Sequence, residues 1–375
     1  MGVNAVLDRV AASRAHVLVV EAPGAFRTRV ALERAVEDMG WCTEESVADA
    51  DVLAVVGEPG EDLSRLVEHV WAQMSEPRTR VRVRAAEDAD TELTLARRRL
   101  RAGGDVEDER RRGFTPSSDE PTGQDEHGGH DEPGHDEHGH DEQGHDEHGG
   151  HDEHGGHDEH GGHDHGAMKP DGIPLAEGAD DRDGLEMDVS QVPFGPVLAH
   201  WPPGLVLRTA LHGDVVMNAE VEQLSATGCE EQGEDDRAAR LLDAAASVLA
   251  LVGLPAEAAH ARRLRNRCVD GDRNVGADVA RFARRLRTRR SLRWVLAGLT
   301  ATDRAGQSQD LHGRLLALLE RARGEVAAAW ASGTPLPVSD LANLIRGKEV
   351  AEARLWIAAM APDLVTTDGA EVGDG

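Results

Sequence analysis

The sequence predicts three consecutive parts. Residues 1–102 read as a small α/β domain with a parallel sheet, and residues 103–192 as a disordered, acidic, histidine-rich linker. Residues 193–366 read as a β-hairpin followed by a mainly α-helical domain, with a tail at 367–375. Three observations carry this division. Short apolar runs alternate with helical periodicity in the first part, as expected of strands joined by crossover helices. From Gly103 to Ser190 there are 28 Asp and Glu against five Lys and Arg, with few apolar side chains to offset ordering entropy by burial. The last part opens with two strand-like runs around Gly213-Asp214 and continues at a period near 3.6.

The elements follow in order. His16–Glu21 is a continuous apolar run ended by Ala22-Pro23-Gly24, which fits a buried strand. Val30, Leu32 and Val36 predict a helix over Phe26–Met39. Asp51–Val56 is a second strand, ended by Gly57-Glu58-Pro59-Gly60, and Leu63, Leu66, Val67, Val70 and Met74 put a helix over 63–74. Val81 and Val83 mark a third strand, and Arg97–Arg101 a charged exit helix. The Gly57–Gly60 segment has neither dinucleotide nor P-loop spacing, and Glu58 and Glu61 would repel an anion, so a plain turn is expected. In the last part Leu205–Leu211 and Val215–Val221 form the hairpin. Helices are predicted over 241–252, 255–267, 275–290, 311–330 and 338–360.

Charge narrows the function. The chain carries −29, of which −23 lies between residues 103 and 190, leaving −6 for the rest. Such a charge repels nucleic acid as a main partner. Cys42, Cys229 and Cys268 form no CxxC pair, which suits a reduced, cytoplasmic setting. Met1–Arg14 has Asp8 and Arg9 where a signal peptide would be apolar. The longest apolar stretch, Ala244–Ala256, contains Pro255 and falls short of the ~20 residues of a bilayer span.

Thirteen of the 19 histidines crowd into residues 127–165: His127, His130, His135, His138, His140, His145, His148, His151, His154, His157, His160, His163 and His165. Neutral imidazole ligates Ni²⁺ and Zn²⁺ well, and the interleaved carboxylates concentrate cations. HxxH and HxH spacings with glycine allow an exposed, labile, multiple site, while a solubilising spacer is the plain alternative. A second dense cluster is Arg281, Arg284, Arg285, Arg287, Arg289, Arg290 and Arg293, preceded by Arg262, Arg263, Arg265 and Arg267. It suits a solvated helix face, a dock for an acidic protein or anionic lipid heads, or a surface for the acidic linker.

Two segments resemble known families. Ala48-Asp-Ala-Asp-Val-Leu-Ala-Val-Val-Gly57, with Val70-Trp-Ala-Gln-Met-Ser-Glu-Pro-Arg78, resembles the small iron–sulfur subunit of respiratory complex I and NiFe hydrogenases. That family has an ADVLLVVG strand and a helix ending QMPEPR. Pro193-Phe-Gly-Pro-Val-Leu-Ala-His-Trp-Pro-Pro-Gly204, with the hairpin, resembles the opening of the large, quinone-site subunit, which begins GPxHPxxHG and continues into a hairpin and helices. The resemblance implies two halves that meet face to face. The family's cluster cysteines have no counterpart in Ala22–Phe26 or after Arg78, so no iron–sulfur cluster is expected, and Cys42 is expected as a small buried side chain. The missing CxxC pairs also argue against a NiFe centre. His200 is the one residue carried over as a quinone-site remnant.

The reading that follows is a non-catalytic accessory or assembly protein related to complex I and hydrogenase, with a histidine loop that binds nickel or zinc. The alternative is a structural subunit of a membrane-associated NADH-quinone oxidoreductase or hydrogenase complex. Expected partners are hydrogenase or complex I-type subunits, and any membrane contact is peripheral, through them or through the Arg-rich face. The expected location is the cytoplasm, or the inner face of the membrane by way of such a complex.

Overall fold

The computed structural model describes residues 14–104, 177–180, 186–225, 236–302, 308–326 and 336–365. The histidine segment 127–165, Cys229, Trp330 and the tail at 367–375 lie outside the described residues.

Strands β1 (His16–Glu21), β2 (Cys42–Glu44), β3 (Val52–Val56) and β4 (Thr79–Val83) form a parallel sheet in the order β2-β1-β3-β4. Helices α1 (Phe26–Asp38) and α2 (Glu61–Gln73) connect strands, and α3 (Ala89–Arg101) follows β4. Successive strand side chains point to opposite faces. Val17, Val52, Ala54, Val56, Val81 and Val83 pack on Leu32 and Val36 of α1 and on Leu93, Ala96 and Leu100 of α3. Leu18, Val20, Leu53 and Val55 face the other way, onto Leu63, Val67 and Trp71 of α2.

Helix α2 does not finish that second face. Val206 and Leu224, from the far half of the chain, belong to the same buried cluster. A parallel sheet needs cover on both faces, so the N-terminal core is completed by the C-terminal part. Two details differ from expectation. Strand β2 is too short and polar to show as an apolar run. Helix α3 starts at Ala89 rather than near Arg97, because Leu93, Ala96 and Leu100 form its inward stripe beneath a charged surface.

In the second half β5 (Glu177–Asp180), β6 (Glu186–Phe194), β7 (Leu205–His212) and β8 (Val215–Gln223) make an antiparallel sheet in that order. The β7–β8 turn is Gly213-Asp214, with φ +59° at Gly213, the glycine-first arrangement of a type II′ hairpin. Strand β5 and most of β6 fall inside the stretch expected to be linker, which corrects its C-terminal boundary. Residues 189–194 of β6 pair with β7, and the Thr209 hydroxyl donates to the Val192 carbonyl at 2.7 Å. Leu205, Leu207, Leu211, Val216 and Ala219 cover Leu341, Ile345, Ala353 and Ile357.

The helical layer comprises α4 (Arg237–Leu251), α5 (Pro255–Val269), α6 (Val275–Thr288), α7 (Arg290–Leu296), α8 (Leu311–Val326), α9 (Leu341–Ile345) and α10 (Val350–Met360). Central α4 buries Leu241, Leu242, Ala245, Val248 and Leu249. Two helices expected to be continuous are broken. The 275–290 helix breaks at Arg289, whose ψ of 102° leaves the helical region. The 338–360 helix breaks at Gly347, where φ is +75°. There the Gly347 amide donates to the Val216 carbonyl at 2.7 Å and the Val216 amide to the Lys348 carbonyl at 2.9 Å. Pairing with β8 therefore replaces the missing helical bonds. Among the described residues, no helix is long and apolar enough to cross a membrane.

Candidate functional site

The two halves meet along α1, and charge lies buried at the contact. Arg29 donates from Nε to Glu21 at the end of β1 (2.5 Å), and from Nη1 to Glu33 one turn along its own helix (2.5 Å). Its Nη2 reaches across the junction to Asp243 of α4 at 2.6 Å. Arg265 of α5 returns the contact, with Nη1 on Asp243 at 2.6 Å and Nη2 within 2.7 Å of Glu33. Arg265 is 1 % exposed. Arg240 supplies a third cation: its guanidinium stacks on the Phe26 ring at 4.6 Å, and Arg29 approaches the same ring at 5.3 Å. Three carboxylates thus meet two bridging guanidiniums, Arg29 and Arg265, and the Arg240 charge lies nearby over the ring.

The environment separates the carboxylates. Burial pushes the Glu21 pKa up, and Arg29 only partly offsets it. Burial acts the same way on Asp243 and Glu33, but there two arginines outweigh it. Asp243 is held well below the usual carboxylate range by Arg29 and Arg265, and Glu33 below its usual value by Arg265 and Arg29. Glu21 is therefore the carboxylate of the three that takes a proton most readily.

Further contacts seal the junction. Arg27 donates to Asp236 at 2.7 Å, Arg34 takes Asp270 through both terminal nitrogens at 2.8 Å, and Phe26 and Val30 pack on Ala239 and Cys268. At the C-terminal ends of β1 and β3, where the strand order reverses, open α/β sheets present their ligand crevice. Here that crevice holds the hairpin base. A Cβ on Gly204 would lie 2.6 Å from Pro23 Cγ, and one on Gly60 would lie 2.4 Å from the Ser225 carbonyl. The loops at 22–25 and 57–60 are thus docking surfaces.

The junction opens into a cleft of about 400 Å³, which Glu21, Arg29, Glu33, Asp243 and Arg265 of the ion network also line. Trp41, Cys42 and Glu45 line one wall, with His200, Trp201 and Arg262 on the other. His200 sits in a loop held by Trp201, whose Nε1 donates to the Leu205 carbonyl at 2.7 Å, and by Arg354, which donates to the Ala199 carbonyl at 3.2 Å. Its φ is +59°, in the left-handed region that non-glycine residues visit uncommonly, Asn, Asp and His most often, and that recurs at functional sites. The imidazole Nε2 lies 3.3 Å from Glu45 Oε1.

Burial pushes the His200 pKa below its ordinary value, and Arg262 adds to this against the opposing pull of Glu45. The folded state therefore resists a proton that the unfolded chain accepts below about pH 6.5. His200 should make stability fall as pH drops through that value, until the lower folded pKa is reached. The variant His200→Asn, which tolerates the positive φ, should show a shallower loss between neutral and mildly acidic pH in urea denaturation. Identical pH slopes for the two proteins would contradict this account.

The sequence-predicted residues fall as follows. His200 lies at the cleft. Cys42, expected to be buried, is exposed at the cleft rim, because β2 is an edge strand with little cover. Arg265, expected among solvent-facing arginines, is buried between Glu33 and Asp243. Burial pushes the Cys268 thiol up to about 11, which makes it a poor thiolate. The thirteen histidines of 127–165 lie outside the described residues. Among the described residues, no group of three or more His, Cys, Asp and Glu side chains is placed to hold a metal ion. Arg29, Glu33 and Asp243 escaped sequence reading, since Arg29 and Glu33 at i,i+4 look like an ordinary exposed helix pair. The chain matches no family model, no curated protein and no solved structure in comparisons with each.

Proposed function

We propose that the chain is a non-catalytic accessory or assembly protein of the complex I and hydrogenase type. In this reading it acts in the cytoplasm, and its histidine segment 127–165 stores or delivers nickel or zinc. The observation that supports the reading is the junction. Each half contributes to the other's buried surface, and the loops after β1 and β3 seat the hairpin base. That is the face-to-face contact which the resemblance implies for small and large subunits, here held within one chain. The lack of CxxC pairs, read from the sequence, fits a copy that keeps the scaffold without the redox ligands.

The test is affinity capture of the tagged full-length chain from its own cells, followed by identification of the retained proteins. Hydrogenase or complex I-type subunits should be recovered, enriched before metal insertion and depleted from the mature complex. Recovery of none of them would overturn the reading. Stable one-to-one retention in the mature complex would favour a structural subunit instead.

A further inference from the structure

Helix α7 has an outer face that the fold does not explain. Leu292 and Leu296, one turn apart, are buried and anchor it to the helical core. The residues between them point out, yet Trp294 is 85 % exposed and Val295 49 %. Among the described residues only Met217 is another large apolar side chain so exposed. An indole left in water on a surface helix brings no stability to the monomer, so its apolar area is available to something outside the chain.

The sequence leading to and through α7 is cationic. Arg281, Arg287 and Arg289 are paired with Asp278, Glu320 and Glu257. Arg284, Arg290 and Arg293 are exposed and make no ion pair among the described residues. Neither of the described cavities includes any residue of α7, so the patch is not the wall of a cleft. A helical partner would need a groove with apolar positions a turn or more apart. What α7 offers is one indole and one valine, adjacent, on the same short helix as the exposed Arg290 and Arg293. That is the chemistry of the bilayer interface: tryptophan settles at headgroup depth, and guanidinium pairs with lipid phosphate.

We infer that the α6–α7 corner is a peripheral docking surface for an anionic lipid bilayer, with Trp294 inserting at the headgroup level and Arg284, Arg290 and Arg293 engaging phosphates. The net charge of −29 does not forbid it. Charges beyond about 8 Å are largely screened at physiological ionic strength, so the bilayer meets the local patch and not the whole chain. The inference stands apart from the accessory role, since it concerns where the protein sits and not what it carries.

The test is sedimentation of the full-length protein with phosphatidylcholine vesicles, with and without phosphatidylglycerol. Binding should require the anionic lipid and weaken as salt is raised. The triple variant R284Q/R290Q/R293Q should bind about a hundredfold more weakly, at about fivefold per arginine. Trp294→Ser should weaken binding while leaving its salt dependence in place. All four positions are exposed, and unchanged circular dichroism would show that the variants fold. No preference for anionic vesicles, or equal binding by the triple variant, would overturn the inference. Capture of an acidic polypeptide in place of both vesicle types would do the same, assigning the patch to a protein partner.

Discussion

Replacing Arg265 by methionine is expected to cost about 3–5 kcal/mol, the usual consequence of removing one partner from a buried ion cluster. Glu33 and Asp243 would then share Arg29 with Glu21, three carboxylates around one bridging guanidinium. Arg265 itself is 1 % exposed, so its guanidinium is exchanged for no solvated charge in the folded parent. The triple variant Arg265→Met, Asp243→Leu, Glu33→Leu removes one cation and two anions from the cluster. It leaves Arg29 with Glu21, a self-contained pair at 2.5 Å. Most of the lost stability should therefore return, since apolar replacements of similar volume are commonly neutral at such sites. Urea denaturation of the three proteins checks this. A loss below about 1 kcal/mol for the single variant would mean that the cluster behaves as a screened surface network.

The same cluster has a pH signature whose sign differs between its members. Asp243 and Glu33 are held below their ordinary values. The stability they add is present above about pH 4 and is lost as pH falls through their folded values. Glu21 is raised by burial, so its contribution is lost as pH rises from the ordinary value through the raised one. Arg265→Met removes the stronger of the two restraints on Glu33. Its carboxyl should then move upward, and the variant should lose stability at a higher pH than the parent does.

The sequence revealed elements whose signal is local and hid those whose cause lies far along the chain. Strands β1 and β3 announce themselves as apolar runs because both faces are covered, and α2 shows its stripe through Leu63, Val67 and Val70. Strand β6 did not, since its partner β7 supplies the order that its acidic setting conceals. The break at Gly347 depends on Val216, 131 positions earlier. The buried network was illegible for the same reason: Arg29 and Asp243 are 214 positions apart and meet only after the halves dock. Arg265 was hidden among neighbours that do face solvent, and no local pattern distinguishes it from Arg263. His200 was legible through its motif, while the backbone strain that presents it to the cleft was not.

The histidine segment carries the other large expected effect. At pH near 7.5, where free imidazole is mostly neutral, the full-length chain should bind several Ni²⁺ or Zn²⁺ ions, and acid should release them. With a pKa of about 6.5, the neutral fraction of each imidazole falls about thirtyfold between pH 7.5 and pH 5. A site made of two imidazoles should therefore lose about a thousandfold in affinity, and one made of three considerably more. The carboxylates stay ionised over this range, so a site built from Asp and Glu alone would scarcely respond. Replacing the thirteen histidines between His127 and His165 by glutamine keeps the acidic charge and removes the imidazoles. Calorimetric titration should then show loss of the Ni²⁺ and Zn²⁺ sites and persistence of weak Ca²⁺ or Mg²⁺ binding, because carboxylate oxygens suit those harder ions. Fewer than one transition-metal ion per parent chain, or equal affinity in parent and variant, would assign the segment to solubility and remove metal handling from its function.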